Sequence, residues 1–431
     1  MKKLLLSMIS GVLCLTTMIS FVSCTDSLVG YNESSSDTAF ESLFESLTDN
    51  ITDKETQKET EKATKKTTAK KTETNLIPGV SKPTGKMTAK NYNFANMSKS
   101  AQANFKFSER TKPSADGLIF DTSCATLEFQ GFMTGDVVIE INSRKNHDYG
   151  NSFFTVYIDG KRSSTRFEVP NNTTKKLTIA SFTGEYYHTI KIVKQTEFKW
   201  SLATIKSLAI TGYLTTPPAD ETYYVEFLGD SLTTAYGNIG KKGDEPSDSP
   251  KYQDGTKSYA YLFADSIGAD YTMISRSAAG INQCWSNSPI QSYYEKFSKD
   301  RSSEAYDIDN ARVPDLIVIH LGANDYNVAR ENGGISSSEK QNFVNGGKKL
   351  INYFREHYGN DVPIIWAYDP GEGFPNQVKE IMNSFGGASA GYYTLSLPWS
   401  QAGAGGHPSA NEHAKHADLL LDLVTKNNII K

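Results

Sequence analysis

Tyr224-Val225-Glu226-Phe227-Leu228 is a short apolar run that ends on Gly229, and Asp230-Ser231-Leu232 follow at once. Such a run, closed by a glycine, reads as a buried strand. Outward from it the period alternates. Ser258 to Ile267 fits a helix and Tyr271 to Ile274 a strand. Leu316 to Leu321 is the clearest buried strand of the chain. Glu339 to Tyr358 has helical spacing, and Ile364 to Tyr368 and Tyr393 to Leu397 read as strands. Asn411 to Thr425 closes the chain as a helix, with Pro408 and Ser409 as start signals. Strands alternating with helices predict an α/β domain over residues 220–431, a parallel sheet with helices on both faces. In such sheets ligands sit outside the carboxyl ends of the strands.

Upstream, residues 90–215 show short alternating runs: Gly117 to Phe120, Ala125 to Phe129, Val137 to Ile141, Phe153 to Ile158, Arg166 to Val169, Leu177 to Ala180, Thr189 to Val193 and Ile205 to Ile210. Their regular spacing, with turn signals between, predicts an all-β sandwich or barrel. Asp159-Gly160 reads as a hairpin turn. His147 and His188 are isolated here, so this half reads as supporting or binding.

The first 24 residues read as an export signal: Lys2 and Lys3, then the apolar stretch Leu4 to Val22. Phe21-Val22-Ser23-Cys24 resembles a bacterial lipobox, which would make Cys24 a lipidated residue; ordinary cleavage and an uncleaved anchor are the other readings. All three place the folded protein outside the cytoplasm or on the cell surface, with membrane contact only through this end. Residues 25–89, rich in Thr, Lys and Glu, are too poor in apolar surface to offset ordering entropy and read as a linker. The net charge of −4, from 45 basic and 49 acidic residues, gives no basic excess for nucleic acid. Four cysteines without a Cys-x-x-Cys pair exclude a zinc ribbon or thioredoxin-type site. Cys124 and Cys284 read as buried thiols, a disulfide between them being the other reading.

Four residues could carry chemistry. Ser231 follows the strand, where a helix N-terminus would favour negative charge; a plain helix cap is the other reading. Gly280, in Ser277-Ala278-Ala279-Gly280-Ile281, offers a backbone N–H that can approach an oxyanion closely, or simply turns the chain. Asn324, in Gly322-Ala323-Asn324-Asp325, offers a side-chain N–H or a turn. His407, in Gly405-Gly406-His407-Pro408, can take a serine proton from the loop before the last helix. His413 and His416 read as a solvated helix face, His320 as a satisfied core histidine, and no metal site is expected.

In order and placement, Gly-Asp-Ser-Leu, a loop glycine, Gly-x-Asn-Asp and His-Pro resemble the SGNH (GDSL-type) hydrolase pattern, matching Ser231, Gly280, Asn324 and His407. Phe154 to Lys161 and His188 to Glu197 look like the jelly-roll sandwich that precedes a flavodoxin-like SGNH domain in carbohydrate esterase family two. That resemblance implies a serine esterase removing acetyl groups from polysaccharides such as xylan and glucomannan, without cofactor. It implies an oxyanion hole from Ser231, Gly280 and Asn324. SGNH hydrolases usually carry Asp three residues before the histidine, where this chain has Ala404. A Ser231–His407 dyad with a main-chain carbonyl orienting the imidazole is expected instead, Asp369 being a distant substitute. Trp285, Trp366 and Trp399 are candidates for stacking on sugar rings, core packing being the other reading of each. Rival readings are a lipase, thioesterase or peptidoglycan O-acetyl esterase, and a non-catalytic carbohydrate-binding protein.

Overall fold

The computed structural model describes residues 84–430 apart from 147–149, 246–248 and 286–288. The expected export signal, Cys24, nearly all of the linker and His147 lie outside the described residues.

Four strands dominate the first half: β1 (Thr126–Lys145), β2 (Ser152–Ile158), β3 (Thr173–Lys194) and β4 (Ser201–Leu214). They lie in the order β4-β1-β3-β2 and, with shorter strands beside them, form a ten-stranded antiparallel sheet among the described residues. The runs Ala125–Phe129 and Val137–Ile141, expected as separate strands, fall on or beside the single strand β1. Leu177–Ala180 and Thr189–Val193 likewise join in β3. The reason lies at Thr134-Gly135-Asp136, which looks like a turn. Gly135 takes a φ of 66° and the register against β3 shifts there, a bulge that absorbs the extra backbone while pairing continues. Asp159 and Gly160 do form a tight turn, both at positive φ, between the paired residues Ile158 and Lys161. Phe129, Ile139, Ile141, Phe154, Ile190, Ile192 and Ile205 share the core of this half.

The second half is a parallel sheet of β5 (Tyr223–Gly229), β6 (Ala269–Ser275), β7 (Leu316–His320), β8 (Ile364–Tyr368) and β9 (Tyr392–Ser396). The order β6-β5-β7-β8-β9 is the flavodoxin-like one, with its switch point between β5 and β7. Six helices concern the argument: α1 (Ser231–Thr234), α2 (Tyr259–Ser266), α3 (Ala323–Glu331), α4 (Ser337–Tyr358), α5 (Pro375–Ser384) and α6 (Ala410–Lys426). Alternate strand residues face opposite sides. Val225, Phe227, Val318 and Ile365 pack with α2 and α6 through Phe263, Leu420 and Val424. Leu228, Ile317, Ile319 and Trp366 pack with α4 and α5 through Phe343, Phe354, Val378 and Ile381.

That packing overturns the histidine readings. His413 and His416 are buried, not solvated, because α6 turns them toward α2 and the sheet. The Tyr259 N–H reaches His413 Nδ1 at 3.3 Å, and His416 Nε2 meets the Pro398 carbonyl at 2.9 Å. His320 is buried against the Tyr259 ring, yet neither of its ring nitrogens has a hydrogen-bond partner among the described residues. Burial pushes its imidazole down to about 3.

The two sheets fall within one compact unit. Phe198 and Leu202, from the antiparallel half, join the core on the α4 side of the parallel sheet, while Cys124 and Val193 join the other. The buried Arg110 guanidinium donates to the carbonyls of Tyr293, Tyr294 and Lys296, at 3.3, 2.7 and 2.6 Å. It also lies 3.7 Å from the centre of the Tyr306 ring. Asp121 accepts two N–H bonds from Arg301, at 2.8 and 2.7 Å. Cys124 and Cys284 are both free thiols; Cys124 is buried and Cys284 only partly so.

Candidate active site

Ser231 is the first residue of α1, just past the carboxyl end of β5. An N–H at that position has no partner inside a helix. The expected helix is a single turn, stopped by Ala235 at φ 59°, so a long helix dipole does not act here. Asp230 caps the turn by accepting the Leu232 N–H at 2.9 Å. Its carboxyl is buried, and desolvation pushes it up to about 7.

His407 arrives from the loop between β9 and α6. Its Nε2 is 2.9 Å from Ser231 Oγ, and its Nδ1 is 2.8 Å from the Gly405 carbonyl oxygen. A carbonyl has no hydrogen to give, so Nδ1 must carry the proton. Nε2 is then the free lone pair, and it faces the serine hydroxyl. Gly405 and Gly406 sit at φ 63° and 71°, a left-handed turn that brings the carbonyl back to its own neighbour. The rings of Tyr236 and Trp399 lie against the imidazole, with centroids 4.7 and 5.6 Å away. Desolvation pushes His407 down to about 4, opposed by the Gly405 bond and helped by the Lys199 charge.

Asp369 does not orient the imidazole. Its carboxylate accepts the N–H groups of Gly371, Glu372 and Trp399, and the Trp399 indole N–H reaches the Gly406 carbonyl at 3.2 Å. Asp369 thus braces the loop that precedes the histidine.

Gly280 follows β6. A side chain there would run into the Gln283 carbonyl and the Asp325 carboxylate. Asp325 accepts the N–H groups of Ile281, Asn282 and Gln283 at 2.8, 2.8 and 2.9 Å, which fixes the loop. Burial nevertheless raises its carboxyl to about 6. Asn324, in the first turn of α3, directs its amide at the Ala279 carbonyl (2.8 Å) and at Asp230 Oδ2 (3.2 Å). To meet a substrate oxyanion it would release the longer contact.

The three tryptophans separate. Trp366 is a correction: it is fully buried on β8 and spends its N–H on the Leu321 carbonyl, so no ring face is left for a ligand. Trp399 is partly buried beside His407. Trp285 is 50% exposed, five residues beyond Gly280. Sequence reasoning missed Tyr236 and the cap by Asp230, and it expected a main-chain carbonyl at the imidazole without placing it at Gly405. Only the Gly405-Gly406 pair carried a readable signal, as a turn before the histidine.

A parallel sheet with serine, glycine, asparagine and histidine at its carboxyl edge resembles the arrangement of GDSL-type acylhydrolases. Residues 225–388 match the GDSL-like lipase/acylhydrolase family, and residues 108–218 match the carbohydrate esterase 2 N-terminal domain. The chain thus carries regions similar to both, and its fold resembles that of family two carbohydrate esterases. It is 28% identical over 287 residues to the cellulase/esterase CelE of Acetivibrio thermocellus, 63% of this chain but 34% of that protein. The chain thus spans about a third of the length of that relative. A family two carbohydrate esterase from Clostridium thermocellum, solved with cellohexaose, is similar at 26% identity and a TM-score of 0.66. That similarity covers 75% of this chain and 99% of that one. An acetyl xylan esterase from Butyrivibrio proteoclasticus shares the fold at 18% identity and a TM-score of 0.67, over 80% and 100% of the two chains.

Proposed function

We propose that the chain is a serine esterase that removes O-acetyl groups from plant cell-wall polysaccharide, such as xylan or glucomannan, through an acetyl-enzyme on Ser231. The observation that carries this reading is the 2.9 Å approach of His407 Nε2 to Ser231 Oγ, with Nδ1 held by the Gly405 carbonyl. His407 takes the hydroxyl proton as Ser231 attacks the acetyl carbonyl. Negative charge gathers on the carbonyl oxygen, facing the N–H groups of Ser231 and Gly280 and the Asn324 amide. The tetrahedral intermediate collapses, the sugar hydroxyl leaves with the proton from His407, and the acetyl group stays on Ser231. Water, deprotonated by His407, then releases acetate and restores the serine. The exposed Trp285 and the ring of Trp399 beside His407 offer faces for sugar rings.

Acetate release from a panel of acetylated xylans, glucomannans and peptidoglycan tests the reading, with Ser231→Ala as control. Wild type should release acetate from the plant glycans and the variant almost none. Equal release by both would remove Ser231 from the mechanism. Preference for peptidoglycan would replace the substrate class.

A further inference from the structure

The connection between β3 and β4 belongs to the antiparallel half, yet it runs against the loops of the active site. Gln195, Thr196, Glu197 and Trp200 are all buried there. Glu197 Oε2 accepts the Ser277 N–H at 2.7 Å, and Oε1 accepts the Ser277 hydroxyl. Ser277 stands three residues before Gly280 in the loop after β6. The Glu197 N–H itself donates to Gln253 Oε1 at 3.2 Å, an oxygen that also takes the Trp200 indole N–H at 2.9 Å. Gln253 then donates through Nε2 to the Thr234 carbonyl at 2.9 Å, in the turn that Ser231 opens. One segment therefore touches the glycine loop directly and the serine turn through a single glutamine.

The loop is held at both ends. At its start, Glu197 takes both donors of Ser277, and the Arg276 guanidinium reaches the Ser277 carbonyl at 3.0 Å. At its end, Asp325 takes the N–H groups of residues 281–283. Gly280 lies between the two carboxylates. A fully buried carboxylate is expensive, and an apolar contact would join the halves at lower cost. What an apolar contact lacks is direction: two acceptor oxygens fix both the backbone and the side chain of Ser277 at once.

We infer that Glu197 is a positioning residue. The antiparallel half supplies it to set the loop that presents the Gly280 N–H, so both halves build one oxyanion hole. The inference rests on the esterase reading above. It leaves Ser231 and His407 to do the chemistry and gives Glu197 the placement of a donor that they need.

The test uses the full chain with Glu197→Ala, Glu197→Gln and Ser277→Ala, assayed on p-nitrophenyl acetate with kcat and KM measured separately per titrated active site. Misplacing an oxyanion donor should lower kcat of Glu197→Ala roughly ten- to a hundredfold with KM within about twofold. Glu197→Gln, which keeps one acceptor oxygen, should recover part of the loss but stay measurably below wild type. Adding Ser277→Ala to Glu197→Ala should cost nothing more. If Glu197→Ala lowers only the thermal midpoint and keeps wild-type kcat per active site, the inference is overturned. Should Glu197→Ala not fold, Glu197→Gln and Ser277→Ala decide: wild-type kcat in both overturns it. If wild type cleaves no acetyl ester, the esterase reading fails by itself. Hydrogen exchange of the amides of 277–283 then reads the loop, and an unchanged rate in the Glu197→Gln and Ser277→Ala variants overturns the inference.

Discussion

His407 meets a carbonyl where a serine hydrolase of the triad type presents a carboxylate. The carbonyl fixes the tautomer but adds no full negative charge, so that one hydrogen bond is all it gives the imidazolium. Desolvation then dominates and pushes the ring down to about 4. Protonated His407 cannot accept the serine proton, so activity is lost as pH falls through that value. The acid limb of kcat/KM should have its midpoint near 4, well below an ordinary imidazole; a midpoint at or above about 6.5 would contradict the environment described. The stability sign agrees. A depressed imidazole contributes stability above its unfolded value that is lost as pH falls from about 6.5 to 4.

Restoring the missing acid should not help. Ala404 is fully buried with its Cβ against Gly240, and the Gly405 carbonyl already occupies His407 Nδ1. Ala404→Asp is expected to cost about 2 kcal/mol or more of stability, seen in denaturant unfolding, without raising kcat. At this scale the sequence was a good guide to side chains at strand ends: Ser231, Gly280, Asn324 and His407 all lie at the carboxyl edge of one sheet. It was a poor guide to Trp366 and Trp399, because a buried and a presented tryptophan read alike. The Gly405 carbonyl was legible only as a class, since every residue carries one.

Between residue and molecule lie the loops that end β6 and β9. The first is fixed by acceptors: the buried Asp325 satisfies three successive backbone donors of the loop. Asp325→Ala should therefore loosen the Gly280 loop and lower kcat about a hundredfold, with protease cutting at 281–283 as an independent sign. Wild-type kcat in a folded Asp325→Ala protein would show that the loop holds its shape without it. Strand and helix cores were readable from period alone, as Ile364–Tyr368 shows, which is matched residue for residue. Interruptions were not. Thr134-Gly135-Asp136 bulges within a strand, and the segment after Ser231 stops after one turn, because pairing across a sheet and packing against neighbours decide such points.

At the level of the whole molecule, the halves are joined by side chains that neither could bury by itself. Without residues 84–219, Phe198 and Leu202 are lost from the α4-side core, and the carbonyls of Tyr293, Tyr294 and Lys296 lose Arg110. Expressed alone, residues 220–431 should fail to give a soluble, cooperatively melting protein; calorimetry of the longer chain should show one transition. Two independent transitions, or an active fragment, would separate the halves. None of this was visible in the strand and helix pattern, which describes each half's own core. Contacts between elements far apart in sequence leave no period to read.

The segment at 195–200 also bears on how such a protein can be recombined. A crossover in the short connection before β5 would bring in an antiparallel half whose own segment meets Ser277 and Gln253 with different groups. The progeny would keep serine and histidine yet misplace a donor between them. Exchange at that joint is thus expected to be disfavoured even though both parts look modular, and the two halves are expected to be inherited as a pair.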